Sequence, residues 1–301
     1  MINLLISKEL GFQTLLKVSE RFKTKDIKVL TIDDSRDKRT KLKEISNFCK
    51  EKNINICFSS SKRQTHDFLV DNSTNITLVA CWYQLIPEKT LVELKKPIIG
   101  VHNSLLPKFR GGSPLVWTIL TGEDFFGYSV FEITKGMDDG GIYLQEDFKL
   151  LSDYDISHCI DTINKSFLSK INFLLSEIIL GSQPEKQAND NISYCAQRLP
   201  QDGLIDWKKS NSEIHNFIRS QSCPYPGAFS YLNNEKIILE KSQILDENCY
   251  GTPGQIFKID DSGMRIVCNN NTTLLVKKIR VADKFYKPCE YLKTIKHRFK
   301  S

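Results

Sequence analysis

His102 is one of five histidines in the chain, and it stands where a histidine can do chemistry. It follows the apolar run Pro97 to Val101 and precedes a turn through Pro107 that ends in Gly111 and Gly112. A second reactive group lies in the Gly-rich turn from Lys135 to Gly141, where Asp138 and Asp139 sit between Gly136 and Gly140. An imidazole that titrates near neutral pH can hold or pass a proton, and a carboxylate beside it can orient the ring or stabilise its charged form. Spacing alone does not bring the two together, and a single histidine after a strand also reads as a satisfied structural residue. The elements that carry them decide.

The first half alternates short apolar runs with helical patterns. Residues 2–7, 27–32, 55–59, 76–81 and 97–101 read as strands, and residues 9–22, 39–52 and 64–71 as helices, with a short helix from near Pro87. Short buried runs joined by helices imply right-handed βαβ units and a mostly parallel, Rossmann-like sheet with helices on both faces. Ligands in such sheets bind beyond the C-terminal strand ends, which is where His102 falls. A helix over 113–121, strands over 127–133 and 142–148, and a long helix from Tyr154 to Leu180 follow. The stretch GSQPEKQANDN (181–191) is polar, contains Gly and Pro, has no periodicity and reads as part of a linker. Past it, a helix over Asn211 to Arg219 precedes short β runs at 227–232, 236–240, 264–268 and 273–281. These predict a smaller antiparallel domain of the OB-like barrel kind. The expected organisation is an α/β catalytic domain over 1–182, a linker over 183–200 and the β domain over 201–301.

Composition narrows the class. At 301 residues the chain has room for two domains. No apolar run reaches the ~18 residues that span a bilayer, and MINLLISKEL reads as a first strand with neither a basic leader nor a cleavage site. A cytoplasmic protein with no membrane contact is expected. The nine cysteines form no CxxC pair, so they read as small buried hydrophobes and not as a disulfide or metal framework; no metal is expected. Almost all of the net charge of +6 falls after residue 200, ending in KTIKHRFK. That excess suits a phosphate-bearing partner or a solvated tail equally.

HNSLLPKFRGGSPLVWTILTGE (102–123) followed by GMDDGGIYLQ (136–145) resembles the folate-dependent formyltransferase family. That family carries an HxSLLPxxRG segment and, about thirty residues on, an Asp-containing Gly-rich loop; His102, Ser104, Leu105, Leu106, Pro107, Arg110, Gly111 and Asp138 match. The stretch 205–232, IDWKKSNSEIHNFIRSQSCPYPGAFSYL, resembles the start of the second domain of methionyl-tRNA formyltransferases. It is more similar still to that of UDP-4-amino-4-deoxy-arabinose formyltransferases. The resemblance implies transfer of a formyl group from 10-formyltetrahydrofolate, a co-substrate, to an amine. The family's catalytic set is Asn, His and Asp. The His is His102 and the Asp is Asp138, but the Asn position is Gly100, which has no side chain. Asn103 is the candidate substitute, although 100 and 102 share a strand face and 103 points elsewhere; a water is the other.

The loop ACWYQLIPE (80–88) resembles the family's aromatic loop beside the pterin. The implied folate-binding set is Trp82 and Tyr83, backbone near Leu85 and Ile86, and Gly136, Asp138 and Gly140 in the second loop. Trp82 and Tyr83 also read as core packing. Ser104, Leu105, Arg110 and Gly111 are expected to shape the acceptor pocket, with Arg110 meeting a phosphate or a structural carboxylate. Asp139 reads as an exposed turn residue.

The acceptor implied is the amine of a nucleotide-linked amino sugar, as in lipopolysaccharide and O-antigen pathways. PLVWTILTGE and CPYPGAFSYL look like the arabinose enzyme. The tRNA enzymes carry a basic insertion after the second strand, where this chain has the short, mixed-charge TIDDSRDKRTKLKE. Alternatives are methionyl-tRNA and, because of Gly100, hydrolysis of 10-formyltetrahydrofolate or a folate-binding protein with weakened catalysis. The domain of 10-formyltetrahydrofolate dehydrogenase that acts as a hydrolase lacks the same Asn. The sequence leaves a homodimer open.

Overall fold

The computed structural model describes residues 1–300. Its larger sheet has seven strands in the order β3-β2-β1-β4-β5-β7-β8. They are β1 (Ile2–Ile6), β2 (Ile27–Ile32), β3 (Asn55–Ser59), β4 (Ile76–Ala80), β5 (Ile98–His102), β7 (Phe125–Glu132) and β8 (Ile142–Lys149). β1 to β5 pair in parallel, and β7 runs antiparallel to β5. Every residue of β1 and β4 is buried, as central strands covered on both faces require. The helices α1 (Lys8–Arg21) and α2 (Leu42–Glu51) carry the chain outward from β1, and α3 (Lys62–Asp71) and α4 (Glu88–Glu93) carry it back through β4 to β5. With right-handed crossovers the two pairs cover opposite faces, and the direction reverses between β1 and β4. α2 begins at Leu42 and not at 39, because residues 33–40 close on themselves: Asp37 N–H donates to Asp34 O and Thr40 N–H to Asp37 O.

The second sheet is antiparallel. Its path is β10 (Ala228–Leu232), β11 (Glu235–Asn248), β14 (Thr272–Val281), β13 (Gly263–Val267) and β12 (Ile256–Asp260), with β15 (Lys284–Tyr286) beside β14. β11 is far longer than the run 236–240 suggested, and it stays in register with β14 only through bulges near Lys241 and beyond Leu245. The basic tail keeps its lysines exposed, but its backbone is paired. Lys300 exchanges both backbone hydrogen bonds with Tyr231 of β10, while Phe299 N–H donates to Gly254 O and Ile256 N–H to His297 O at the start of β12. The tail therefore joins the two ends of the sheet path, which gives the barrel-like closure expected of this domain. Phe299 is buried and stacks on Trp207 with ring centroids 5.5 Å apart. α7 (Asn211–Arg219) is opened by Ser210 and Glu213, each accepting the other's backbone N–H; those bonds hold the Glu213 carboxyl below its ordinary range.

Contacts divide the chain into two interleaved units. One comprises 1–110, 127–147 and 162–194, the other 111–126, 148–161 and 195–301. α5 (Pro114–Leu120) thus groups with α7, and α6 (Ile156–Ile179) begins in one unit and ends in the other. The short strands β6 (Arg110–Gly111) and β9 (Tyr194–Cys195) pair at the point where both segments change unit; α8 (Pro288–Tyr291) lies near the chain's end. Where polar composition predicts a linker over 183–200, the chain instead pairs with β8. Glu185 N–H donates to Ile142 O at 2.9 Å, Ile142 N–H donates to Glu185 O at 2.7 Å, and Gln187 is buried. All nine cysteines are free thiols. Among the described residues no helix is long and apolar enough to cross a membrane.

Candidate active site

His102 ends β5, and its side chain is fixed from one side. Nε2 lies 2.8 Å from Phe109 O. A carbonyl only accepts, so Nε2 carries the hydrogen and Nδ1 is the nitrogen left to change state. Phe109 has a φ of 57°, in the left-handed region that a bulky side chain seldom occupies. Its N–H donates to Ser193 Oγ at 2.9 Å, which helps hold that turn. Nδ1 faces Asp138 Oδ2 at 3.7 Å. That gap exceeds a hydrogen bond and suits a water or an amine between the two groups.

The Gly-rich turn presents Asp138 toward the imidazole. Asp138 has a φ of 48°, and its side chain is a quarter exposed. Gly140 is required by space: a Cβ there would lie 1.8 Å from Glu132 O. A Cβ on Gly136 would strike the Asp139 carboxylate. Asp139 is exposed and accepts from the Thr134 hydroxyl. The turn is also gripped from below. Gln187 Nε2 donates to Asp138 O at 2.8 Å and to Gly140 O at 2.7 Å, and its Oε1 accepts from Arg110 Nε and Nη2 at 3.2 and 2.6 Å.

The turn after His102 is braced internally. Ser104 is 1% exposed, and its hydroxyl donates to Lys108 O. Ser129 Oγ donates to Ser104 O and accepts from Leu106 N, while Gln145 Nε2 donates to both Leu106 O and Ser129 Oγ. Leu105 packs where Gly127 lacks a side chain. Gly111 has a φ of 103°, natural only to glycine. Of the four residues expected at the acceptor, Ser104 is buried and bound within the turn, Arg110 is buried and bound to Gln187, and Leu105 and Gly111 are half-buried.

The loop after β4 divides its side chains. Trp82 and Ile86 pack against the core cluster of Leu5, Leu30, Phe68, Leu69, Val79 and Ile98, while Tyr83 and Leu85 are exposed. The Trp82 indole Nε1 is buried with no hydrogen-bond partner in the protein. Burial pushes the Cys81 thiol up to about 11, so a thiolate plays no part at neutral pH.

Gly100 lies opposite Phe131 in the β5–β7 register. A Cβ at Gly100 would meet Phe131 Cε1 at 3.1 Å and Ile133 Cδ1 and Cγ1 at 3.0 and 3.1 Å. The Phe131 ring also makes an edge contact with the His102 ring, centroids 6.1 Å apart at 75°. The space that an amide at 100 would enter is filled by these two side chains. Asn103 is half-buried, one residue past the end of β5. Among the described residues no three His, Cys, Asp or Glu side chains gather as metal ligands. Sequence reasoning passed over Phe131 and Gln187. Phe131 looks like any strand residue, and the only signal at Gln187 is a long polar side chain in a stretch without periodicity.

A model described as "Formyl transferase" matches residues 10–169, and one described as "Formyl transferase, C-terminal domain" matches 199–294. The bifunctional polymyxin resistance protein ArnA of Wigglesworthia glossinidia brevipalpis is 35% identical over 195 residues, 64% of this chain and 30% of that protein's length. The methionyl-tRNA formyltransferase of Clostridium novyi is 27% identical over 266 residues, covering 83% of this chain and 81% of that one. Among solved structures, WlaRD, a sugar 3N-formyl transferase crystallised with dTDP and 5-N-formyl-THF, has a TM-score of 0.70 at 22% identity, covering 94% of this chain and 98% of that one. The N-formyltransferase of Helicobacter canadensis in complex with folinic acid and dTDP-3-aminofucose has a TM-score of 0.71 at 18% identity, covering 91% and 98%.

Proposed function

The chain belongs to the formyl transferase family, and on that footing we propose that it transfers the formyl group of 10-formyltetrahydrofolate to the amine of a nucleotide-linked amino sugar. The observation that carries the choice of acceptor is the loop after β2. Several of its charges are paired: Asp34 and Asp37 each meet Lys8 Nζ of α1 at 2.7 Å, Arg39 meets Asp37 at 3.0 Å, and Lys41 meets Glu44 at 3.1 Å and Glu9 of α1 at 3.2 Å, while Arg36, Lys38 and Lys43 are exposed, so the loop is short and of mixed charge and not a basic arm. An arm that grips an RNA backbone needs cations free to displace counterions from phosphates. The sugar 3N-formyl transferase crystallised with dTDP and the N-formyltransferase in complex with dTDP-3-aminofucose support the same choice.

The folate fits the loop after β4. A heterocycle with a flat apolar face can cover the exposed Tyr83 and Leu85. In the reaction the neutral acceptor amine attacks the formyl carbon, its nitrogen forms the new C–N bond, and the carbonyl oxygen becomes an oxyanion. His102, protonated at Nδ1, donates to that oxygen. Asp138 takes the proton that the attacking nitrogen sheds, directly or through a bridging water. Collapse breaks the bond to the folate nitrogen, which departs with the proton that Asp138 took from the amine and leaves tetrahydrofolate.

The test is tetrahydrofolate release with a panel of dTDP-, UDP- and GDP-linked 3-amino and 4-amino sugars. Turnover with at least one is expected. Release with charged initiator tRNA but with no sugar would replace the acceptor, a reading that the basic excess after residue 200 favours. Release that needs no amine would make the protein a hydrolase.

Asn103→Ala addresses the missing donor. Alternation along β5 turns residue 103 from the face that carries His102, so kcat is expected to fall less than threefold, leaving a water as the second donor. A loss near the ~10² cost of removing an oxyanion donor would assign the role to Asn103.

A further inference from the structure

We propose that Gln187 is a positioning residue for Asp138, and that Arg110 acts on the site through Gln187. The inference rests on the reading of Asp138 as the group that takes the amine proton. Residues 181–191 have the composition of a connector, yet the backbone pairing of Glu185 with Ile142 carries Gln187 beneath the Gly-rich turn, where it is 6% exposed.

The direction of its amide is settled by what it touches. The Arg110 guanidinium can only donate, so the atom it meets at 2.6 and 3.2 Å is the carbonyl Oε1. The backbone oxygens of Asp138 and Gly140 can only accept, so the group 2.8 and 2.7 Å from them is the NH2. Both ends agree, and no flipped amide satisfies either. One side chain thus fixes two carbonyls that bracket a single residue, and those two residues are the ones under constraint. Asp138 has a positive φ, and Gly140 leaves no room for a Cβ. A backbone held in a sparsely populated conformation persists only when its surroundings over-determine it. The 3.7 Å separation from His102 Nδ1 makes the Asp138 carboxylate sensitive to any tilt of the turn.

A residue that sets the carboxylate's position should affect the rate of the chemical step more than ground-state binding. Gln187→Leu keeps the bulk and removes both donors and the acceptor. It is expected to lower kcat about tenfold with the panel sugar nucleotide that turns over and to move the acidic limb of the kcat–pH profile. In an Asp138→Asn background the same change should lower kcat by no more than about twofold, because the group it positions is gone. An undiminished tenfold loss in that background, or a Gln187→Leu single variant within twofold of wild type with an unmoved pH profile, would overturn the proposal. If Gln187→Leu does not fold, Arg110→Met, which strips the donors that orient the amide, is read by the same criteria. Near wild-type turnover of Asp138→Asn alone would overturn the reading of the site, and this proposal with it; that failure is distinguishable because it is read on the single variant.

Discussion

His102→Asn and Asp138→Asn are each expected to lower kcat by about 10² or more, while affinity for tetrahydrofolate changes little. The magnitude is that of general acid–base or oxyanion work by one side chain. The geometry sharpens the expectation for His102. Its Nε2 hydrogen is committed to Phe109 O at 2.8 Å, so the imidazole reaches the reacting groups only through Nδ1, the atom facing Asp138. A shorter Asn side chain cannot serve both ends. The Phe109 carbonyl also loses the imidazole donor, and that bond holds the turn, so thermal unfolding of each variant must accompany the kinetics. Asp138→Asn keeps the size of the side chain and the backbone grip of Gln187 and removes the negative charge together with the capacity to take a proton. The measurement is kcat, KM and Tm for both variants with the panel sugar that turns over. Turnover near wild type in either would remove that residue from the mechanism.

Gly100→Asn is expected to lower both stability and activity, although it introduces the residue type that the family's catalytic set implies at this position. A Cβ alone would press to 3.0 Å on Ile133 and 3.1 Å on Phe131, and the amide must reach further. Overfilling a packed site costs typically about 1–3 kcal/mol. The strain falls on Phe131, whose ring edge borders His102, so a displaced ring carries the imidazole with it. We expect at least a tenfold fall in kcat together with a lowered Tm. The double variant Gly100→Asn/Phe131→Ala opens the volume the amide needs and should recover both Tm and kcat relative to the single variant. A rise in kcat above wild type on Gly100→Asn alone would mean that the neighbours yield without cost and that the donor is simply missing.

The order of strands and helices in the larger domain was legible because a strand buried on both faces is an unbroken apolar run and a covering helix repeats every three to four residues. These are properties of near neighbours in the chain. His102 and Asp138 were legible for a different reason: each sits in a turn whose chemistry is written locally, with Pro107 and Gly111 after one and Gly136 and Gly140 around the other. What periodicity cannot contain is a partner brought from elsewhere. Phe131 meets Gly100 and His102 only because β5 and β7 pair antiparallel in one register. Gln187 reaches Asp138 across 49 residues through two hydrogen bonds that leave no trace in composition. The stretch 181–191 reads as a connector because its apolar content is low, but Glu185 and Gln187 hold it by backbone and amide hydrogen bonds, which ask nothing of hydrophobicity. The basic tail reads as solvated because its lysines are charged, yet its backbone bonds to Tyr231, Gly254 and Ile256 join the ends of the second sheet, and Phe299 anchors it. The sequence by itself determined most of the elements and singled out the two candidate groups, whose signals are local. The tertiary structure decided what fills the place of the absent asparagine and what holds the aspartate, because both depend on side chains that meet only once the sheet has set its register.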